Sequence, residues 1–374
     1  MMRLLACAAV LMLLPLTAAA EDPLPSTTRY EKARVIEASQ PITEIIAGTD
    51  VEHERQTITV ELTEGPDEGQ RATFENDYLQ VERGDVVYVR HVIDEELGIE
   101  TGYIAELYRM PVLVSLALAF LVLLIVFGGL QGVRGLASLA GSLLLIFYVL
   151  LPGIYGGLSP ILLSILVASL ITVFGSYVTH GFTRTTTAAM LGMVSTVAVT
   201  GVAAYLAIDL ANLSGFTSEQ NVYLNFNTSG RIDMVGLLFG GVMIGLLGVL
   251  YDMAIGQAVA IEELYRAGAH YTRLDAYRRG LRIGREHIGA LVNTLAIAYV
   301  GASLPLFLLF TQAANGMEYL ANSELFATEI IRILIGSSGL VLAVPITTLI
   351  AAWMLYGRVS GSAPLDRHAH AHNL

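Results

Sequence analysis

The sequence predicts an all-α polytopic membrane bundle of about seven transmembrane helices, preceded by a small extracytoplasmic β domain. Three observations predict it. Hydrophobic residues make up 54% of the 374-residue chain and charged residues only 14%, where soluble domains are about one quarter charged. Apolar stretches close to the ~20 residues needed to cross a bilayer recur after residue 110. The charge is also segregated. Residues 21–107 carry 21 Asp and Glu against 7 Lys and Arg, a balance of −14, while the whole chain stands at −12.

The first element is residues 1–20. Arg3 precedes an apolar core from Leu4 to Leu16, and Ala18, Ala19 and Ala20 stand before Glu21. This is the pattern of a secretory signal peptide, and an uncleaved signal anchor would export the following residues equally. The apolar core follows Cys7 instead of preceding it, which excludes a lipoprotein reading. With one cysteine there is no intrachain disulfide.

Residues 21–107 read as an exported acidic β-rich domain. Apolar positions alternate in Ala33–Glu37, Gln56–Leu62, Arg71–Glu75 and Asp85–Val92. Ile58, Val60 and Leu62 fall on one side, as a period of two requires. Glu64-Gly65-Pro66-Asp67-Glu68-Gly69 and Gly84-Asp85 supply turns. A small barrel or sandwich follows. The acidic surface is that of a solvated domain, and neither His53 nor His91 has metal-ligand spacing, so no metal site is expected.

Seven spans follow, at about Pro111–Leu130, Leu136–Leu151, Leu158–Val178, Ala188–Ile208, Met234–Ile255, Ile288–Phe310 and Ile331–Tyr356. The second is short and is interrupted by Pro152 and Gly153. Connections that alternate with an exported N-terminus place Arg134, Arg184, Arg266, Arg273, Arg278, Arg279, Arg282 and Arg285 on the cytoplasmic side, where positive residues concentrate. External connections carry Asp209, Glu219, Asp233, Glu318, Glu324 and Glu329. The expected location is the plasma (inner) membrane, multi-pass, with residues 358–374 as a cytoplasmic tail. The tail's three alternating histidines read as polar sequence without a metal role.

Within the spans, Gly236/Gly240 and Gly241/Gly245 form two GxxxG pairs, which let helices approach closely. Asp252 then appears, with Gly256, Val259 and Glu263 on its face and Gln257 to one side. A carboxylate at the bilayer centre costs about 2.5–3.5 kcal/mol, so it is expected to meet protein or water. Asp252 lies 18 residues after Met234, about 27 Å along the helix, so a position in the inner headgroup region is the competing explanation. In the sixth span, Asn293 and Thr294 precede an interruption at Gly301-Ala-Ser303-Leu-Pro305. The last span holds Gly336-Ser337-Ser338-Gly339 and Pro345. Broken helices free backbone carbonyls inside a bundle, a recurring arrangement at transporter sites. Proline kinks satisfied by Ser303 or Thr347 are the purely structural alternative. Glu329 and Arg332 read as a local ion pair.

These residues carry a family resemblance. Gly236-Leu-Leu-Phe through Ile244-Gly-Leu-Leu-Gly-Val-Leu-Tyr-Asp252-Met-Ala, Asn293-Thr-Leu-Ala-Ile-Ala-Tyr-Val-Gly301-Ala-Ser-Leu-Pro305-Leu, and Glu329-Ile-Ile-Arg through Gly336-Ser-Ser-Gly and Pro345-Ile-Thr-Thr resemble the YibE/F family of multispanning membrane proteins. The likeness covers most of residues 111–357. It implies an exported N-terminal segment, a helical membrane body and a permease-like role. Where the family pattern continues after the aspartate with a Ser-rich run, this chain has Gly256-Gln257-Ala258.

Walker A, HExxH, GxSxG and CxxC motifs are absent from the sequence, so neither an ATP-driven pump nor an enzyme is expected. No cofactor is expected, and the arginine-rich stretch lacks the features of a nucleic-acid binder. It suits an anionic inner leaflet. Two functions remain: a secondary permease or channel-like transporter of an ion or small solute, and a membrane-anchored scaffold whose β domain binds an envelope partner. The expected partners are the lipid bilayer, a second copy of the chain and, for the scaffold, that envelope protein. The permease reading assigns its pathway to Asp252, Gln257, Asn293, Thr294, Ser303, Pro305, Gly336, Ser337, Ser338, Gly339 and Pro345.

Overall fold

The computed structural model describes residues 26–45, 52–77, 79–94, 99–267, 271–311 and 316–356. The expected signal peptide and cytoplasmic tail lie outside these residues. The chain divides at Gly129 into two compact units.

The first unit contains one antiparallel sheet of β1 (Ser26–Ala38), β2 (Ile42–Ile45), β3 (Glu52–Leu62), β4 (Arg71–Asn76), β5 (Val86–Asp94) and β6 (Ile99–Leu107). Its order is β2-β3-β1-β5-β6, with β4 also on β3. The period-two reading of β3 holds: Ile58, Val60 and Leu62 point inward with Ala33, Val35, Val87 and Val89. The sheet curls enough that the Phe74 ring of β4 lies over Gly102 of β6, 2.7 Å from where a Cβ would stand. Glu31 is buried, pairing with Arg29 at 2.9 Å and approaching His91 at 3.8 Å. The 64–69 turn closes over it. Gly65 has φ +104°, and a Cβ there would lie 2.3 Å from Glu31 Oε1. Gly65→Ala is therefore expected to cost about 1–3 kcal/mol, read as faster proteolysis of this segment in the full chain.

Helix α1 (Met110–Leu145) breaks at Gly129, whose φ of 53° and ψ of −139° are not helical. The two expected spans 111–130 and 136–151 therefore belong to one helical stretch with a break, not to two helices joined by a loop. A π-widened turn at Ile146–Leu150 leads into α2 (Leu151–Tyr155). That widening lets the helix continue through Pro152, which lacks an N–H and crowds the preceding turn. Counted as one stretch to Tyr155, this is the first of five helices long and apolar enough to cross a membrane among the described residues. The others are α3 (Pro160–His180), α4 (Arg184–Leu210), α6 (Met234–Ala267) and α10 (Glu324–Leu355). The sixth expected span is divided: α7 (Arg273–Ala302) ends at Ser303 and α8 (Leu304–Thr311) follows. Short helices α5 (Glu219–Asn227) and α9 (Met317–Asn322) lie in the connections.

Small residues set the packing in the second unit. Ser164 of α3 sits against Gly240 of α6, and the Tyr251 hydroxyl of α6 donates to the Gly175 carbonyl of α3 at 3.3 Å. These pairs make α3 and α6 parallel. Gly280 and Gly284 of α7 lie against Gln257 of α6 and against Thr348 and Val344 of α10, so α7 runs antiparallel to both. The common core is formed by Met193, Val197, Phe239, Met243, Leu246, Leu250, Leu340 and Val344. At the arginine-rich end, Ala188, Ala258, Ala276 and Ala351 make a second, finer-grained core. Aromatic residues ring this end: Arg273 stacks 5.5 Å from the Trp353 ring and Arg279 4.3 Å from that of Tyr271.

The arginine-bearing connection is largely helical, formed by the end of α6 and the first half of α7. Thr272 caps α7, and the Thr272–Asp275 pair forms a reciprocal capping box. The hydrogen bonds from the Thr272 hydroxyl and backbone hold the Asp275 carboxyl below the usual aspartate range. A carboxylate pKa lowered by folding stabilises the helix start above the unfolded value and ceases to do so as pH falls through the folded one. Protection of the first α7 amides, corrected for intrinsic exchange rate, should therefore fall in that acidic window, and Asp275→Asn should remove the dependence.

Candidate functional site

Helix α10 is the centre of the bundle because it presents glycines and hydroxyls to three neighbours. On the antiparallel α4–α10 pair the two helices carry the same device. A Cβ on Gly192 of α4 would lie 2.4 Å from Thr347 Oγ1 of α10, and one on Gly339 of α10 would lie 2.7 Å from Thr200 Oγ1 of α4. Each helix thus sets a threonine hydroxyl into the other's glycine notch, eight residues from its own glycine. Thr200 and Thr347 are buried, and neither hydroxyl has a hydrogen-bond partner. Other helix hydroxyls return to their own backbone, as Thr196 does to the Gly192 carbonyl at 2.8 Å. Close Cα–H contacts compensate only a fraction of a full hydrogen bond.

Two further polar groups adjoin this seam. Gln257 of α6, 2% exposed, donates from Nε2 to the Gly280 carbonyl and to Thr348 Oγ1, both at 2.7 Å. Gly280 and Gly284 leave the space that this amide fills. It therefore ties α6, α7 and α10 together near the arginine-rich end. Gln257→Ala should cost about 2–4 kcal/mol through two lost bonds and a cavity, seen as a lower melting temperature in detergent.

Toward the opposite end of α10, Arg332 Nη1 donates to Glu329 Oε1 at 2.8 Å. The guanidinium lies 5.8 Å from the Tyr299 ring of α7. Glu329 Oε2, Arg332 Nε and the neighbouring Thr328 hydroxyl are buried without hydrogen-bond partners. A charged pair inside an otherwise apolar helix is costly. Here it also retains unused donor and acceptor capacity.

The structure separates the residues that the sequence reading grouped. Gln257, Gly336 and Gly339 are buried at helix contacts, while Ser303, Ser337 and Pro345 are half-buried. Asp252 lies on the exposed face of α6, with Gly241, Gly245, Gly248, Gly256 and Val259, and no hydrogen bond or ion pair reaches it among the described residues. Most neighbours of α6 pack on its other sides, although the Tyr299 hydroxyl of α7 reaches Gly245 on this face. Asn293, Thr294, Ser338 and Pro305 are also exposed, and the Thr294 hydroxyl returns to the Ala290 carbonyl. The expected backbone break at Gly336–Gly339 is absent. α10 is continuous there, because these glycines serve as notches for Leu246, Leu295 and Thr200. The break before Pro305 is present. The Thr347 hydroxyl, expected to satisfy a proline kink, makes no hydrogen bond.

The reading of Glu329 and Arg332 as a mere local pair missed their unused atoms, and the Thr200–Thr347 pair was not singled out. The signals were an arginine eight residues into α10 and the shared spacing of Gly192 to Thr200 and Gly339 to Thr347.

Outside the seam, a 430 Å³ cavity opens between the ends of α3, α4 and α6, with Asp209, Asp233, Tyr205 and Phe239 among its lining. Asp233 is engaged as a cap, accepting the Gly236 N–H at 3.0 Å.

Long apolar helices around a buried polar seam, with a separate β sheet, define a polytopic helical membrane protein. The chain belongs to the YibE/F-like protein family, whose model matches residues 116–357. Among curated proteins and among solved structures, none matches the chain.

Proposed function

We propose that the protein is a secondary permease for an ion or small solute in the plasma (inner) membrane. Its β domain lies on the extracytoplasmic side and the arginine-rich end of the bundle lies in the cytoplasm. The observation that carries this reading is the half-used Glu329–Arg332 pair within α10, with the unpaired hydroxyls of Thr200 and Thr347 further along the α4–α10 contact. Buried polar atoms are ordinarily paired. In a bundle surrounded by lipid, a set left unpaired suits a solute that binds and leaves. The arginines gathered at one end of the bundle support this orientation. The absence of a nucleotide-binding motif in the sequence favours transport driven by a gradient over an ATP-driven pump.

The pathway in this reading runs between α4, α6, α7 and α10 through Glu329, Arg332, Thr200, Gly339 and Thr347 and past Gln257. Asp252 lies off it. Reconstitution into liposomes with a panel of ions and small solutes should give a flux that Asp252→Asn preserves. No flux with any solute, together with loss of an envelope partner when residues 21–107 are deleted, would favour the scaffold instead.

A further inference from the structure

We infer that Glu329 and Arg332 form an exchange site at which a proton and a small oxyanion, a carboxylate or phosphate group, bind together. The inference rests on the permease reading and names its substrate class. One hydrogen bond joins the pair, from Arg332 Nη1 to Glu329 Oε1. Glu329 Oε2 and Arg332 Nε are each buried and unpartnered. The groups around them are few. Helix α10 adds Thr328, α7 adds Tyr299 over the guanidinium, and α4 presents Thr200 to Gly339. Helix α6 presents Gly245 to the Tyr299 hydroxyl and Leu246 to Gly336, and the nearest acid on α9, Glu318, is exposed. Among the described residues, neither Glu329 nor Arg332 makes an ion pair beyond the one they share.

Charge balance selects the ligand. At rest the pair sums to zero. A cation on Oε2 alone would leave one positive charge in a poorly solvated site, and an anion on Nε alone one negative charge. Either is expensive there. A proton on Glu329 with an oxyanion on Arg332 keeps the sum at zero before and after binding. The proton adds to a Glu329 carboxylate oxygen, and the bond from Arg332 Nη1 to Oε1 breaks. The guanidinium, released from Glu329, then offers its side-on edge, Nε with Nη2, to the oxyanion as a two-toothed fork. On release the proton returns to water and the ion pair re-forms. The Arg332 side chain keeps 25% of its surface accessible while Nε itself is buried, so the oxyanion enters as the ion pair opens.

The test uses the full chain in liposomes of phosphatidylethanolamine and phosphatidylglycerol. Dicyclohexylcarbodiimide, which attacks protonated carboxyl groups in apolar surroundings, is applied across mildly acidic to mildly alkaline pH. Labelling of Glu329 is then mapped by mass spectrometry. Labelling should rise as pH falls. At fixed pH it should rise about fivefold or more in saturating inorganic phosphate or succinate relative to chloride, because anion and proton favour each other reciprocally. A response to phosphate alone identifies a phosphate group, and one to succinate alone a carboxylate. Arg332→Gln should abolish the anion dependence while Glu329 still labels. Equal labelling in all three salts overturns the inference. If solute flux persists in that case, the permease reading survives without it. An anion effect without flux would leave the binding site and remove the permease.

Discussion

Gly192→Val should unfold the helical bundle at temperatures where the native protein is intact, a loss of about 3 kcal/mol or more. The new Cβ would stand 2.4 Å from Thr347 Oγ1 and 2.9 Å from Thr347 Cα. The side-chain oxygen can rotate away, but the backbone carbon cannot. Helices α4 and α10 must separate, and the core residues between them lose contact together. Stability of a typical domain is only about 5–15 kcal/mol, so the change is large. The control is Gly241→Val on α6, where a Cβ meets nothing within 4 Å. That variant should melt close to the native protein. Thermal unfolding of both in the same detergent checks the pair, and equal melting temperatures would refute the notch.

The second large effect is at the ion pair. Arg332→Met should destabilise the protein by about 3 kcal/mol, because Glu329 is left without its counter-ion in a mostly buried position. Flux should be lost as well. The double variant Arg332→Met with Glu329→Gln separates the two consequences. Replacing both partners of a buried pair with neutral groups of similar size is often neutral or stabilising. The melting temperature should therefore return to near the native value while flux stays absent. If the double variant transports normally, the pair is structural only.

Much of the architecture was legible. Inward-facing Ile58, Val60 and Leu62 came from their alternation alone, because a sheet with one buried face imposes a period of two. Length and apolarity located the five long apolar helices found among the described residues, where seven separate spans were expected. Which face of each span turns inward was not legible, and Asp252 shows why. Helix α6 is apolar nearly all the way round, so hydrophobic periodicity carries little information about its orientation. Its inward face is determined by which neighbours pack on it, and α3, α4 and α10 leave the aspartate side to a single approach by Tyr299 of α7 at Gly245. Asn293 and Thr294, in the apolar second half of α7, are likewise exposed. Gly336–Gly339 failed differently: glycine both breaks helices and lets them approach, and only the opposing side chains decide which. Gln257 was chosen for its polarity, but its role as a tie depends on Gly280 and Thr348, which are 23 and 91 residues away in sequence.

The permease proposal requires solutes to enter the interior between α4 and α10 and not to follow the exposed face of α6. Single cysteines at Thr200, Thr347 and Leu334 in a Cys7→Ser background, probed with a membrane-impermeant methanethiosulfonate in liposomes, test it most directly. The interior positions should react, and saturating solute should protect them, while the 60%-exposed Leu334 facing lipid stays inert. Unreactive cysteines at both Thr200 and Thr347, under every solute gradient, would contradict a passage there.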